Sequence, residues 1–215
     1  MDYKLKLVKK EHQKTSTWSG GTTTELFIYP KDASYEDRNF KWRLSSATVE
    51  QEESNFTYLE GVNRWIMTLE GDIKLQHKGH GERELKAFEP YNFSGQWETK
   101  SFGKVRDFNL MLKEDCSGEI SSINIAIDMS RELYMHKEEI RKENFSKVSY
   151  ALYCVKGKIL VRTFHDEVSL NEGDLLLIDC DLVTEEQEQS SNLYIDVHNN
   201  GDEEVIAVTS IVYQP

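Results

Sequence analysis

One pattern occurs twice in this 215-residue chain, and it limits the fold more than any other feature. Arg64 to Leu69 and Ile73 to His77 are strand-like runs separated by Glu70-Gly71-Asp72. Tyr150 to Val155 and Ile159 to Phe164 repeat the arrangement around Lys156-Gly157-Lys158. Two apolar, β-branched or aromatic runs flanking a glycine read as a hairpin with the glycine in the turn. Each copy is followed at a similar distance by a short strand and a turn, Leu85 to Pro90 in one and Val168 to Gly173 in the other. Self-similarity at this scale implies two copies of one β unit.

The remaining chain reads the same way. Leu26-Phe27-Ile28-Tyr29, Phe40 to Val49, Asp107 to Leu112, Leu193 to Val197 and Val205 to Val212 are strand signals, and Pro30 stops the first of them. Ser130 to Glu143 is a helix candidate, with Ser130 as its cap. The polar, turn-rich Glu114 to Gly118 places the junction between the copies within 113–125. The expectation is an all-β chain of two tandem β-sandwich or small-barrel units, residues 1–115 and a more acidic 116–215, whose hairpin-then-Gly-Asp pattern looks like jelly rolls of the cupin kind. Edge strands of such units pair readily, so a homodimer is compatible with this fold.

Cupin units often hold a metal through two histidines one residue apart, a glutamate and a later histidine. That set is missing: the strands where the paired histidines would stand read Arg64-Trp65-Ile66-Met67 and Tyr150-Ala151-Leu152-Tyr153. His77 and His80 are close, but Gln76 to Gly81 reads as a solvated glycine-rich loop. No metal and no cofactor are expected.

Charge separates the two parts. Residues 1–115 carry 18 basic and 19 acidic side chains, and residues 116–215 carry 8 and 19, for a net charge of −12. That balance argues against a nucleic acid or an anionic membrane surface as partner. No apolar run approaches the ~18 residues of a membrane-spanning helix, and Met1 to Lys6 lacks the apolar core of a signal peptide. Cys116, Cys154 and Cys180 fit neither a disulfide framework nor a zinc site, which suits buried thiols in a reducing cytoplasm. All four tryptophans and five of the eight arginines lie in residues 1–115. Aromatic walls and guanidinium anchors are common in small-molecule pockets, so an anion site belongs there.

Three segments carry candidate chemistry. In Trp18-Ser19-Gly20-Gly21-Thr22-Thr23-Thr24-Glu25 the paired glycines allow either a close ligand approach or an ordinary turn into a Thr-rich strand, and no P-loop lysine follows. Phe40-Lys41-Trp42-Arg43-Leu44-Ser45 puts Arg43 and Ser45 on the face opposite Trp42 and Leu44. An inward arginine is costly unless it meets a carboxylate, so pattern alone favours the solvent side for Arg43. Arg64, with Asp107 and Asn109 sharing one strand face, suits a small carboxylate or a structural Arg64–Asp107 pair, and the sequence leaves both open. There is no Gly-x-Ser-x-Gly elbow and no activated cysteine.

These segments, together with Ser54-Asn55-Phe56, Gly61 to Arg64, Leu69-Glu70-Gly71, Pro90 to Gly95 and Asp107 to Met111, resemble the HutD/Ves family in order over residues 18–111. The resemblance implies a bacterial, cytoplasmic bicupin without a settled reaction. Some members accompany histidine-utilisation genes and are regarded as regulators that sense a pathway intermediate such as urocanate or a formylated product; others resemble a stress-linked protein. It implies a pocket in the first unit, with Arg64 as carboxylate anchor, Thr23, Glu25, Arg43, Asp107 and Asn109 as lining groups, and Trp18 as a wall. This chain departs from the family at Thr22, where a further glycine is usual. Three functions follow as expectations: a metal-independent binder of a small carboxylate; a cupin-type isomerase or hydrolase using Glu25 or Asp107 as acid–base group; or an acidic scaffold for a basic partner.

Overall fold

The computed structural model describes residues 3–134, 145–182 and 194–215. It is built of β-strands, with no α-helix among the described residues. The first strand, β1 (Tyr3–Val8), pairs antiparallel with β17 (Leu175–Asp181), Tyr3 opposite Cys180 and Val8 opposite Leu175. Residues 1–12 therefore group with residues 121–215, and residues 13–120 form the other compact unit. The sequence reading had put residues 1–12 in the first unit, because nothing local in Tyr3–Val8 reports a partner so distant in the chain. Residue 120 lies inside the 113–125 stretch expected to hold the junction.

The 13–120 unit has two antiparallel sheets. One has the order β2 (Lys14–Trp18), β3 (Gly21–Tyr29), β4 (Trp42–Val49), β11 (Val105–Lys113), β6 (Val62–Glu70), β9 (Tyr91–Ser94). The other runs β5 (Glu53–Asn55), β10 (Thr99–Phe102), β7 (Ile73–His77), β8 (Gly81–Leu85). Val49, Ile66, Phe93 and Val105 from the first sheet share a core with Ile73, Leu75 and Leu85 from the second, so the sheets are stacked as a sandwich.

The 1–12 and 121–215 unit repeats this plan. Its sheets run β1, β17, β14 (Lys147–Lys156), β19 (Val205–Gln214), β12 (Ser117–Ile125) and β13 (Ser130–Tyr134), β18 (Tyr194–Asn199), β15 (Lys158–Arg162), β16 (Glu167–Asn171). The order β4-β11-β6-β9 matches β12-β19-β14-β17, and β5-β10-β7-β8 matches β13-β18-β15-β16. The two copies anticipated from the glycine-centred pattern thus share one topology.

Two readings are corrected. Gly71 and Gly157 do not close hairpins: β6 and β7 belong to different sheets, as do β14 and β15. The chain bends there from one layer of the sandwich to the other. Gly71 has φ +79°, and a Cβ on it would lie 2.7 Å from the Lys104 carbonyl oxygen. Ser130–Tyr134 is a strand rather than the start of a helix, because its ladder with β18, Ser130 opposite His198 through Tyr134 opposite Tyr194, overrides a helix-friendly composition. Residues 135–143 of that candidate lie outside the described residues. Cys116, Cys154 and Cys180 are buried free thiols, and burial pushes each up to about 12.

Candidate functional site

The inner face of the six-stranded sheet is set by ladder register. Asp107 lies opposite Ala47 and Thr68, Asn109 opposite Ser45 and Ile66, and Met111 opposite Arg43 and Arg64. Thr23 lies opposite Ala47 and Glu25 opposite Ser45. Because side chains alternate along a strand, this register gathers Thr23, Arg43, Ser45, Arg64, Asp107 and Asn109 on one face. With Trp18, Tyr35 and Phe56 they enclose a cavity of about 290 Å³, the size of a small-molecule pocket. Six of the seven residues singled out in the sequence line it; Glu25 is the exception and acts through Arg43.

Arg43 is 5% exposed, so the solvent-side reading for it is overturned. Both faces of β4 are covered, Trp42 and Leu44 on one and Arg43 and Ser45 on the other. The carboxylate it needs is Glu25, whose Oε2 accepts from Arg43 Nε at 2.8 Å. Arg43 Nη1 donates to Ser45 Oγ at 3.0 Å, and its guanidinium lies over the Tyr35 ring.

Arg64 is treated differently. It is 6% exposed, and among the described residues it has no carboxylate within ion-pair distance. Its Nη2 donates to Asn109 Oδ1 at 3.3 Å, and the guanidinium lies over Phe56 and Phe93 at 4.6 and 5.4 Å. Its Nε is buried without a partner. Burial pushes the guanidinium down to about 10, opposed by the charges of Tyr35 and Asp107 and assisted by that of Arg43.

Asp107 is 3% exposed. Its Oδ1 accepts from Asn109 Nδ2 at 2.7 Å and from the Ala47 amide at 3.1 Å. Asn109 therefore stands between Asp107 and Arg64, in place of a direct ion pair. Burial pushes the Asp107 carboxyl up to about 7 against the lowering effects of the Ala47 amide, Arg64 and Asn109. Burial opposes ionisation of Tyr35 as well, but hydrogen bonds with Thr57 and Arg38 and the charges of Arg38 and Arg64 prevail and hold its hydroxyl below the usual range.

The paired glycines serve the wall rather than a phosphate. Trp18 and Gly21 close the β2–β3 hairpin. A Cβ on Gly20 would lie 2.1 Å from the Trp18 ring, and one on Gly21 would lie 1.9 Å from the Thr48 carbonyl oxygen. Gly20 thus lets the indole fold down beside the cavity. Tyr35 and Phe56 escaped the sequence reading as pocket groups. Tyr35 comes from the loop after β3, and Phe56, though part of a motif, carries no chemistry that distinguishes it from a core residue.

His77 is no loop residue. It ends β7 and is buried, with Nδ1 2.8 Å from Thr99 Oγ1, Nε2 3.2 Å from the Tyr91 hydroxyl, and the rings of Phe93 and Trp97 packed against it. Among the described residues no group of three His, Cys, Asp or Glu side chains could hold a metal ion. The cavity offers two guanidiniums where a cation would need donors, so its residues do not fit a cupin metal.

At the positions that match Arg64, Asp107 and Asn109, the second copy carries no charged side chain. Counted back from Gly71 and Gly157, Arg64 matches Tyr150, and the ladders then match Asp107 with Ala207 and Asn109 with Thr209. Tyr150 hydrogen-bonds Thr209. Tyr150 and Ala207 pack in an apolar core with Leu152, Cys154, Ile178 and Tyr213.

The HutD family model matches residues 10–195. The chain belongs to the HutD family. A solved structure of HutD from Pseudomonas fluorescens SBW25, in a formate condition, matches at TM-score 0.66 and 20% identity over 99% of this chain and 100% of that one. A conserved protein of unknown function from Pseudomonas aeruginosa PAO1 matches at 0.72 and 19%, over 99% and 100%. The oxalate decarboxylase of Lactobacillus farciminis, as its formate complex, matches at 0.67 and 9%, over 97% and 85%. These likenesses establish the cupin fold for this HutD-family chain. No curated protein sequence matches it. No helix among the described residues is long and apolar enough to cross a membrane.

Proposed function

We propose that this HutD-family protein binds a small carboxylate in the cavity of its 13–120 unit without the help of a metal, as a sensor linked to histidine utilisation. The observation that carries the reading is Arg64: a buried guanidinium, lining a cavity, with an unpartnered Nε and, among the described residues, no carboxylate at ion-pair distance. Guanidinium groups bind carboxylates through two parallel N–H donors, and this one holds donors in reserve. Arg43 is already neutralised by Glu25, which leaves Arg64 as the anchor. Phe56, Tyr35 and Trp18 supply aromatic walls against which a small planar ligand packs. The second copy, with Tyr150 and Ala207 in place of the charges, fits a scaffold role.

Calorimetric titration with formate, urocanate and formylglutamate tests the reading. Heat is expected from at least one of them, and Arg64→Met should abolish it. No heat from any of the three, or full affinity in Arg64→Met, refutes it.

A second reading rests on Asp107. A carboxyl raised to about 7 inside a cavity is poised for proton transfer, as acid–base catalysis requires. Turnover of the same carboxylates, lost in Asp107→Asn while binding persists, would establish an enzyme. Glu25 is a weaker candidate for that role, since its carboxylate is held by Arg43.

A further inference from the structure

We propose that the cavity takes up its carboxylate together with one proton, which Asp107 holds on Oδ2 and donates to an oxygen of the bound anion. This rests on the binding reading above and specifies its chemistry. The two oxygens of Asp107 are unequally served. Oδ1 accepts from Asn109 Nδ2 and from the Ala47 amide, whereas Oδ2 has no hydrogen bond to any described residue. Asp107 lines the same cavity as Arg64, and Asn109 links the two by bonding both.

An anion seated on Arg64 therefore brings a second negative charge close to a buried carboxyl that has no cation at ion-pair distance among the described residues. Two carboxylates sharing a buried site do not both stay ionised, and one of them takes a proton. Asp107 is the one already displaced in that direction, because burial disfavours its charged form. The charged and titratable groups around it act in known senses. From β6, Arg64 favours the ionised carboxyl in the empty site, and a ligand anion offsets that field. From β4 and β3, Arg43 and Glu25 cancel each other as an ion pair. From the loop after β3, Tyr35 interacts with Arg38 and Arg64. Asn109, on the same strand as Asp107, is neutral and fixes Oδ1 as the acceptor, so the proton resides on Oδ2.

The one covalent change is the O–H bond on Asp107 Oδ2; every other contact is a hydrogen bond. Above pH 7, where the empty site is ionised, that proton leaves the buffer when the anion enters and returns to it when the anion leaves. The site then selects ligands with a carboxylate oxygen that accepts from Asp107 in addition to those held by Arg64.

Formate is the probe, since it has no second group that titrates in the working range. It is titrated calorimetrically at pH 6, 7, 8 and 8.5 in buffers of different ionisation enthalpy. Affinity should be flat below pH 7 and fall about tenfold for each pH unit above it, ~30-fold by pH 8.5. The buffer dependence at pH 8.5 should report close to one proton taken up. Asp107→Asn, which leaves position 107 uncharged at every pH, should flatten the profile and abolish proton uptake. Formate binding that is independent of pH with no proton uptake in the wild-type protein overturns the proposal while leaving carboxylate binding intact. Absence of heat with formate, urocanate and formylglutamate alike overturns both. The buffer series on the wild-type protein needs no variant, so a poorly folded Asp107→Asn does not weaken the test.

Discussion

Replacing Arg64 by methionine should cost the empty protein almost no stability while removing its ligand. Burial holds the guanidinium down to about 10, and at about 1.36 kcal/mol per pKa unit this corresponds to roughly 3 kcal/mol of unfavourable charging. Methionine removes that cost and keeps the apolar stem. Against it stand the long 3.3 Å hydrogen bond to Asn109, worth about 1 kcal/mol, and the contacts with the Phe56 and Phe93 rings, together about 1–2 kcal/mol. The balance lies within about 1 kcal/mol of zero. A buried ion pair behaves otherwise, since truncating one partner costs about 3–5 kcal/mol. Urea unfolding followed by tryptophan fluorescence measures the difference, with an unchanged slope confirming that the same surface is exposed in both proteins. A loss of 3 kcal/mol or more would show that Arg64 is a structural charge, and the anchor argument would fall with it.

Two further outcomes follow from the cavity. Asp107→Asn should change how stability depends on pH. The folded-state pKa is raised to about 7, so between about 4 and 7 the folded protein holds more protons than the unfolded one. Wild-type stability should therefore fall as pH rises through that window and level off above it, by at most about 4 kcal/mol. The variant should lack this fall in urea midpoints taken at pH 5 and 8, and equal slopes in both proteins would contradict it. Gly20→Ala should push the Trp18 ring out of the wall, because the added Cβ has only 2.1 Å to the indole. Weaker carboxylate binding with a red-shifted emission is the expected result, and unchanged binding would remove Trp18 from the site.

Much of this architecture was legible in the residues, for reasons that also explain the misses. Glycine punctuation at Gly71 and Gly157 marked the repeat correctly, since positive φ is needed there. It did not say which strands pair, and a bend between layers leaves the same local signature as a hairpin turn. Period-two alternation separated Arg43 from Trp42 but did not show which face is inward, because β4 is buried on both. Glu25, the partner that makes an inward Arg43 tolerable, lies on the neighbouring strand and is found by register rather than by spacing. Asp107 and Asn109 were recognisable as a pair because i and i+2 share a strand face. Tyr35 was not, because a loop side chain has no period to betray its direction. His77 was hidden by the glycines that follow it, although its ring is packed among Tyr91, Phe93 and Trp97.

The pairing of β1 with β17 has a consequence for how this molecule is made and how it should be cut. A ribosome releases Tyr3–Val8 well before Leu175–Asp181, so the earlier segment must wait, unpaired, while residues 13–120 emerge and collapse around their own core. A fragment starting at residue 116 would leave the β17 edge bare and invite self-association. Grafting residues 1–12 behind Pro215 through a flexible linker is the rational way to isolate that half.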